Sequence, residues 1–282
     1  MKLIHLFQHL GLDIKDAEKV HGGDINEAFC LQGSETKYFL KINNAVQYPG
    51  RFLKEANGLD TLRKCPSLLL PKVIKHGTLE DVQYLLLEWM DEGTPAADAQ
   101  HDLGSNIARM HQTSQEYFGF TEDNYIGSIP QKNTPTETWS DFYTQCRILP
   151  LVKILADTNV FSKADVAQAT SFCTSVGKIF PIETPSILHG DLWGGNYLIA
   201  SSGYASLIDP AVYFGHREMD IGMTRLFGGF SNDFYTGYNE VFPLEKGWEK
   251  RLPFTQLYPL LVHAVLFGGH YVNNVRTILK QF

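Results

Sequence analysis

The sequence is poor in cysteine. Its 282 residues hold four, Cys30, Cys65, Cys146 and Cys173, and no C-x-x-C pair. Such spacing supplies neither the bridges of a small secreted domain nor the paired ligands of a structural zinc site, and points to free thiols in a reducing cytosol. Positive charge is not in excess: 24 Lys and Arg against 31 Asp and Glu leave a net charge of −7, with the cations dispersed. That speaks against a nucleic-acid partner. No apolar run reaches the ~20 residues a membrane-spanning helix needs. The N-terminal stretch MKLIHLFQHLGLDIKDAEKV breaks its apolar residues with His5, Gln8 and His9; it reads as a short amphipathic helix rather than a signal peptide, so the expected location is cytoplasmic. H-E-x-x-H, G-x-S-x-G and G-K-[ST] are all missing, which removes the helix-borne zinc site, the hydrolase nucleophile elbow and the Walker P-loop.

What is present is the material of a globular chain, 44% hydrophobic and 12% aromatic. Two strand-like runs, 27–31 and 37–42, flank Gln32-Gly33-Ser34 and predict a hairpin. Residues 51–64 place Phe52, Ala56, Leu59 and Leu62 at helical spacing, and 73–76 and 82–87 predict a further strand pair. The first 88 residues thus read as a small antiparallel sheet with one helix. Beyond Glu88-Trp89-Met90 the character changes: a helix at 98–112, an irregular loop at 119–138, helices at 139–149 and 150–180, a β insert at 186–209, then helices to the end. The expectation is an α+β chain, residues 1–88 forming one lobe and 89–282 a larger, mostly helical one.

Chemistry concentrates in 186–210, SILHGDLWGGNYLIASSGYASLIDP. YLIA and ASLI flank the turn signal Ser201-Ser202-Gly203, and a hairpin there brings its open ends, Asn196 and Asp209, side by side. Asp191 precedes Asn196 with four residues between. D-x-x-x-x-N followed by a hairpin ending in Asp is the arrangement of kinase sites, where the first Asp takes the acceptor hydroxyl's proton while the Asn and the later Asp hold Mg²⁺ on the phosphates of ATP. Oxygen ligands suit that hard cation. Gly-Asp and Asp-Pro also make ordinary turns; the hairpin and Asp209 are what lift the segment above that alternative. In the first lobe, Lys41 lies on a strand and Glu55 on the following helix, bordering its apolar stripe. A carboxylate there needs a partner, and Lys41 supplies the strand-Lys to helix-Glu pair that positions nucleotide in kinases. The loop Gly22-Gly23-Asp24-Ile25-Asn26 sits where phosphates would be covered; a plain turn is its alternative. Glu88, Trp89 and Met90, at the lobe junction, offer backbone and apolar side chains to adenine, or simply end a strand. His111, His263 and His270 fall in helical patterns and are expected to be hydrogen-bonded structural residues. His189 is expected to brace the catalytic loop.

HGDLWGGN and LIDPAVYFGHREMDIGMTRLFGGF resemble the fructosamine kinase (ketosamine 3-kinase) family, in the aminoglycoside-phosphotransferase branch of the protein-kinase-like fold. GGDINEAF, FLKIN, FLKEANGLDTL, YIGSIPQKN, YNEVFPLEKGWEKR and LYPLLVHAVLFGGHY extend the resemblance over about 18–272. It implies Asp191 as the catalytic residue, Asn196 and Asp209 as metal ligands, Lys41 and Glu55 as the nucleotide-positioning pair, and Trp193 facing the sugar. It also implies Asp220 as a brace of the catalytic loop, with a simple helix N-cap as the alternative. The implied activity is Mg²⁺- and ATP-dependent phosphorylation of the 3-hydroxyl of a ketosamine, whether a small molecule or a glycated protein lysine, initiating deglycation. Two other readings stay open: a kinase for choline or an aminoglycoside, and an inactive nucleotide-binding chain, against which the full set of five polar residues argues.

Overall fold

The computed structural model describes residues 3–20 and 26–282. Helix α1 (Leu3–Leu10) leads into strand β1 (Ile14–Val20), and β2 (Glu27–Gly33), β3 (Lys37–Asn44), helix α2 (Arg51–Leu62), β4 (Val73–Leu79) and β5 (Val82–Glu88) follow. The five strands form one sheet in the order β1-β2-β3-β5-β4, antiparallel throughout. β1 is a strand where the sequence pattern suggested more amphipathic helix. Gly11, at φ +70°, ends α1 in a conformation glycine adopts freely. The segment IKDAEKV then pairs with β2 as a charged edge strand, whose charges blunt the period-2 signal.

Alternation sets the two faces of this sheet. Phe29, Leu31, Leu40, Tyr84 and Leu86 pack with Leu6 and Leu10 of α1. Leu85 and Leu87 join Phe52, Ala56, Leu59 and Leu62 of α2 on the opposite face. Full burial of each large apolar side chain contributes roughly 1.5–3 kcal/mol, and a helix covers each face: the amphipathic helix expected at the N-terminus on one side and α2 on the other. Lys41 on β3, the central strand, pairs in register with Leu85 and therefore points to the α2 side.

The rest is mainly helical: α3 (Ala99–His111), α4 (Trp139–Phe142), α5 (Leu149–Asp157), α6 (Lys163–Ile179), α7 (Glu218–Leu226), α8 (Asn232–Val241), α9 (Trp248–Phe267) and α10 (His270–Leu279). A π-helical stretch, Tyr143–Ile148, joins α4 to α5. α6 starts on a reciprocal cap between Ser162 and Asp165, which breaks the expected run over 150–180 in two. The stretch 119–138 is not wholly irregular: β6 (Asn124–Ile126) and β7 (Ile129–Gln131) form a hairpin. It is held from behind by buried amides: Asn124 donates to Val212 O at 2.8 Å, and Gln131 donates to Asn124 Oδ1 at 2.8 Å. Two more small pairs complete the chain, β8 (Ser186–Leu188) with β11 (Tyr213–Gly215) and β9 (Tyr197–Ile199) with β10 (Ala205–Leu207). No described helix is long and apolar enough to cross a membrane.

Candidate active site

The loop from β8 to β9 is tied down before it presents any chemistry. Gly190 has φ +81°, and a Cβ there would sit 2.1 Å from Ala211 O, so only glycine lets the loop lie against the segment that leads into β11. Asp220, in the first turn of α7, accepts from the His189 N–H at 2.8 Å and the Gly190 N–H at 3.0 Å. His111 Nε2 lies 3.2 Å from the same carboxylate, and its Nδ1 is 2.8 Å from the Tyr238 hydroxyl. Asp220 is thus a brace between α3, α7, α8 and the loop. It is not the N-cap, since Arg217 holds that position without a side-chain cap. His189 braces from the other side: the Asp191 N–H donates to its Nδ1 at 3.3 Å, and its Nε2 lies 3.0 Å from Ile208 O. Burial pulls the pKa of this imidazole down, so it serves as a neutral strut with the proton on Nε2.

The predicted hairpin carries the remaining polar groups. The Ile208 N–H donates to Asn196 O at 3.0 Å, which closes the open end and sets Asn196 beside Asp209. Asn196 Nδ2 donates to the Asp191 carbonyl and carboxylate, both at 2.8 Å. Its Oδ1 therefore faces away from Asp191. Asp209 takes a left-handed backbone, φ +55°, a conformation costing of order 1–3 kcal/mol in a non-glycine residue and persisting only where the surroundings impose it. Its carboxylate receives the Lys41 ammonium, which also donates to Glu55 Oε1 at 2.8 Å. Burial lowers the Lys41 pKa, but Asp209 and Glu55 outweigh it and hold the ammonium above its ordinary value. Burial pushes Asp191 up to about 7; the Asn196 amide opposes this, while the charges of Asp209 and Asp220 reinforce it.

A cavity of about 820 Å³ opens over these groups and is also lined by Asn26, Trp193, Tyr125 and Tyr258. Asn26 Oδ1 accepts from Asn43 Nδ2 at 2.8 Å. The Trp193 indole lies over Gly195, where a Cβ would meet it at 2.3 Å. Glu88, Trp89 and Met90 are not among the lining residues. The Glu88 N–H is committed to Lys72 O at 2.8 Å, and Trp89 Nε1 to Asp91 Oδ1 at 3.0 Å. Gly22, Gly23 and Asp24 lie outside the described residues. Of the three helical histidines, His111 has the expected hydrogen bonds. His263 does not: its Nδ1 is buried without a partner, and its ring lines the cavity. The sequence reading also passed over Phe227, Phe267 and Tyr271 on that wall; the spacing 263, 267, 271 is a helical signal, and it could have flagged three of the four.

A fructosamine kinase family model matches residues 2–282. A probable ketoamine kinase of Synechocystis sp. is 38% identical over 270 residues, covering 95% of this chain and 90% of that protein. The chloroplastic protein-ribulosamine 3-kinase of Oryza sativa subsp. japonica is 33% identical over 276 residues, covering 95% and 79%. The crystal structure of a protein assigned as a fructosamine-3-kinase from Haemophilus somnus 129PT superposes with a TM-score of 0.87 at 30% identity, covering 98% of this chain and 94% of that one. A thermostable mutant of aminoglycoside phosphotransferase APH(4)-Ia, solved with ADP and hygromycin B, shares the fold at a TM-score of 0.63 and 16% identity, covering 98% and 97%. Sequence and fold together assign this α+β chain, with its kinase-like architecture: it belongs to the fructosamine kinase family, the ketoamine kinases.

Proposed function

We propose that this protein transfers the γ-phosphoryl group of ATP to the 3-hydroxyl of a ketosamine. The observation that carries the reading is the meeting of Lys41, Glu55 and Asp209 with Asp191 and Asn196 on one cavity, in a chain of this family. Residues 1–88 are the nucleotide-binding lobe and 89–282 the lobe that holds the acceptor. Lys41, fixed by Glu55, presents its ammonium to the phosphates. Asn26 lines the cavity, and Gly22, Gly23 and Asp24, which precede it in sequence, are the candidates to contact the phosphates. At the junction of Glu88, Trp89 and Met90 the Glu88 N–H is already used by Lys72 O, so contact with adenine there falls to the backbone of Trp89 and Met90.

Asp191 is the general base. Its carboxyl, raised to about 7, is matched to taking a proton from a hydroxyl near neutral pH. The Asn196 amide fixes which carboxylate oxygen faces the acceptor. Among the described residues no three His, Cys, Asp or Glu side chains gather as a metal site. Asn196 Oδ1 and the Asp209 oxygen not engaged by Lys41 do fit a magnesium ion completed by phosphate oxygens, the way this cation is usually bound. Such an ion neutralises charge on the phosphates. Trp193 lines the acceptor side. The product, a 3-phosphate beside an enolisable ketoamine, loses inorganic phosphate by elimination; water then releases the free amine and a deoxyosone.

The test is a phosphotransfer screen with ATP and Mg²⁺ on ribulose-, erythrulose- and fructose-lysine beside kanamycin and choline. The wild type is expected to form a phosphorylated ketosamine that slowly releases lysine and phosphate. Asp191→Asn should lower turnover by ~10²–10⁴-fold, the usual contribution of a positioned base, with little change in nucleotide affinity. Phosphorylation of kanamycin or choline with every ketosamine ignored would overturn the substrate; full activity in Asp191→Asn would overturn the mechanism.

A further inference from the structure

The cavity has a second end that phosphoryl transfer does not use. Phe227 follows α7, His263 and Phe267 lie on the last turns of α9, and Tyr271 lies in the first turn of α10 after the Gly268-Gly269 break. Ring centroids are 4.8 Å apart for Phe227 and His263, 4.8 Å for His263 and Tyr271, and 5.3 Å for His263 and Phe267. Phe227 also meets Trp193 edge-on at 6.1 Å, so the aromatic wall begins two residues from Asp191. His263, packed among these rings, makes no hydrogen bond among the described residues. Burial lowers its pKa, with His270 adding to the effect, and the ring is neutral.

Among the described residues the carboxylates on the cavity are Glu55, Asp191, Asp209 and Asp220. Lys41 engages the first and third, Asn196 the second, and the loop N–H groups with His111 the fourth. Among the described residues no spare carboxylate lines the aromatic end. A ketosamine carries a secondary amine that is protonated in water. At this wall such a cation meets ring faces, which attract it through their quadrupoles.

We propose that Phe227, His263 and Tyr271 form the subsite for the amine end of the ketosamine and hold its secondary ammonium on ring faces rather than by a salt bridge. The inference rests on the reading of the reaction given above. Ring faces are tolerant of direction, so the substituent on nitrogen is free to vary. Phe267, 57% exposed, forms the outer rim past which the rest of a lysine runs to solvent.

The test separates the charge from the sugar. Dissociation constants are measured by calorimetry for fructose-lysine and for the same compound acetylated on the ketosamine nitrogen, which keeps the hydroxyls and loses the charge there. Wild type, Phe227→Leu, His263→Leu and Tyr271→Leu are compared, leucine keeping apolar bulk. The preference of the wild type for the charged form should fall on the order of 2- to 30-fold in the Phe227 and Tyr271 variants, the range of a cation–ring contact, and should also fall in His263→Leu. ATP affinity and melting temperature identify a variant that has lost its fold, in which case the others carry the test. An unchanged preference in every folded variant of an enzyme that does phosphorylate ketosamines overturns the subsite. A wild type that phosphorylates no ketosamine overturns the reaction itself, and its occupant with it.

Discussion

Asp220→Asn probes the brace beneath the catalytic loop. The carboxylate is 1% exposed and accepts from two backbone N–H groups, at 2.8 and 3.0 Å, with His111 Nε2 at 3.2 Å. An asparagine of the same shape retains one acceptor oxygen. Its NH₂ must then face a donor, either a loop N–H or His111. One charge-assisted bond, worth about 1.5–3 kcal/mol, is lost and a buried donor is left unpaired at a further ~1–3 kcal/mol. Relaxation of the loop recovers part of this, so the expected loss of stability is about 2–4 kcal/mol by urea unfolding. The loop that relaxes carries Asp191. A displacement near 1 Å costs a reacting group of order 10²-fold, so kcat should fall by about 10- to 100-fold while KM for ATP, set across the cavity by Lys41 and Glu55, holds. Unchanged unfolding midpoint and unchanged kcat together would refute the brace; lost stability with full kcat would show that the loop keeps its geometry without it.

Lys41→Ala and Glu55→Ala should each impair turnover, and the double change should cost much less than their sum; strict additivity in the cycle would mean the two do not act together. Asp209→Asn should raise the Mg²⁺ concentration needed for half-maximal turnover while the fold survives, since Lys41 keeps Glu55; an unaltered Mg²⁺ titration would remove Asp209 from the metal. Asp165 has its pKa held down by the Arg276 guanidinium and the Ser162 cap, against its partial burial. A depressed folded-state pKa gives stability that is fully present above the unfolded value near 3.9 and lost as pH falls through the folded one. Asp165→Asn should therefore cost about 0.5–2 kcal/mol at pH 7, and the gap from wild type should close below about pH 4; a gap independent of pH would mean the charge contributes nothing.

The local parts of this protein were legible because they rest on short-range rules. The hairpin of 197–207 follows from the two strand-like runs YLIA and ASLI and a Ser-Ser-Gly turn, and it alone brings Asn196 to Asp209. Helix α2 follows from four apolar residues at helical spacing, and the same spacing places Glu55 beside the seam that Lys41 enters. β1 was hidden because an edge strand carries charges and buries little, so its pairing with β2 leaves no period in the residues. The hairpin of β6 and β7 was hidden because buried amides hold it: Asn124 and Gln131 donate to Val212 O and Ala211 O, partners some 80 residues away, and Asn133 donates to Asn124 Oδ1.

The sequence by itself determined the residue types of the phosphotransfer site and their order, since strand, turn and helix signals are written within about fifteen residues of each group. Tertiary structure alone decided three things. It turned Asp220 from a possible helix cap into the acceptor that fixes the loop, because His111 and Tyr238 arrive from two other helices. It brought the Lys41 ammonium to Asp209, 168 residues further along the chain. It also assembled Phe227, His263 and Tyr271 into one wall, because ring contacts depend on how α7, α9 and α10 cross, and no local rule encodes where helices from distant parts of a chain meet.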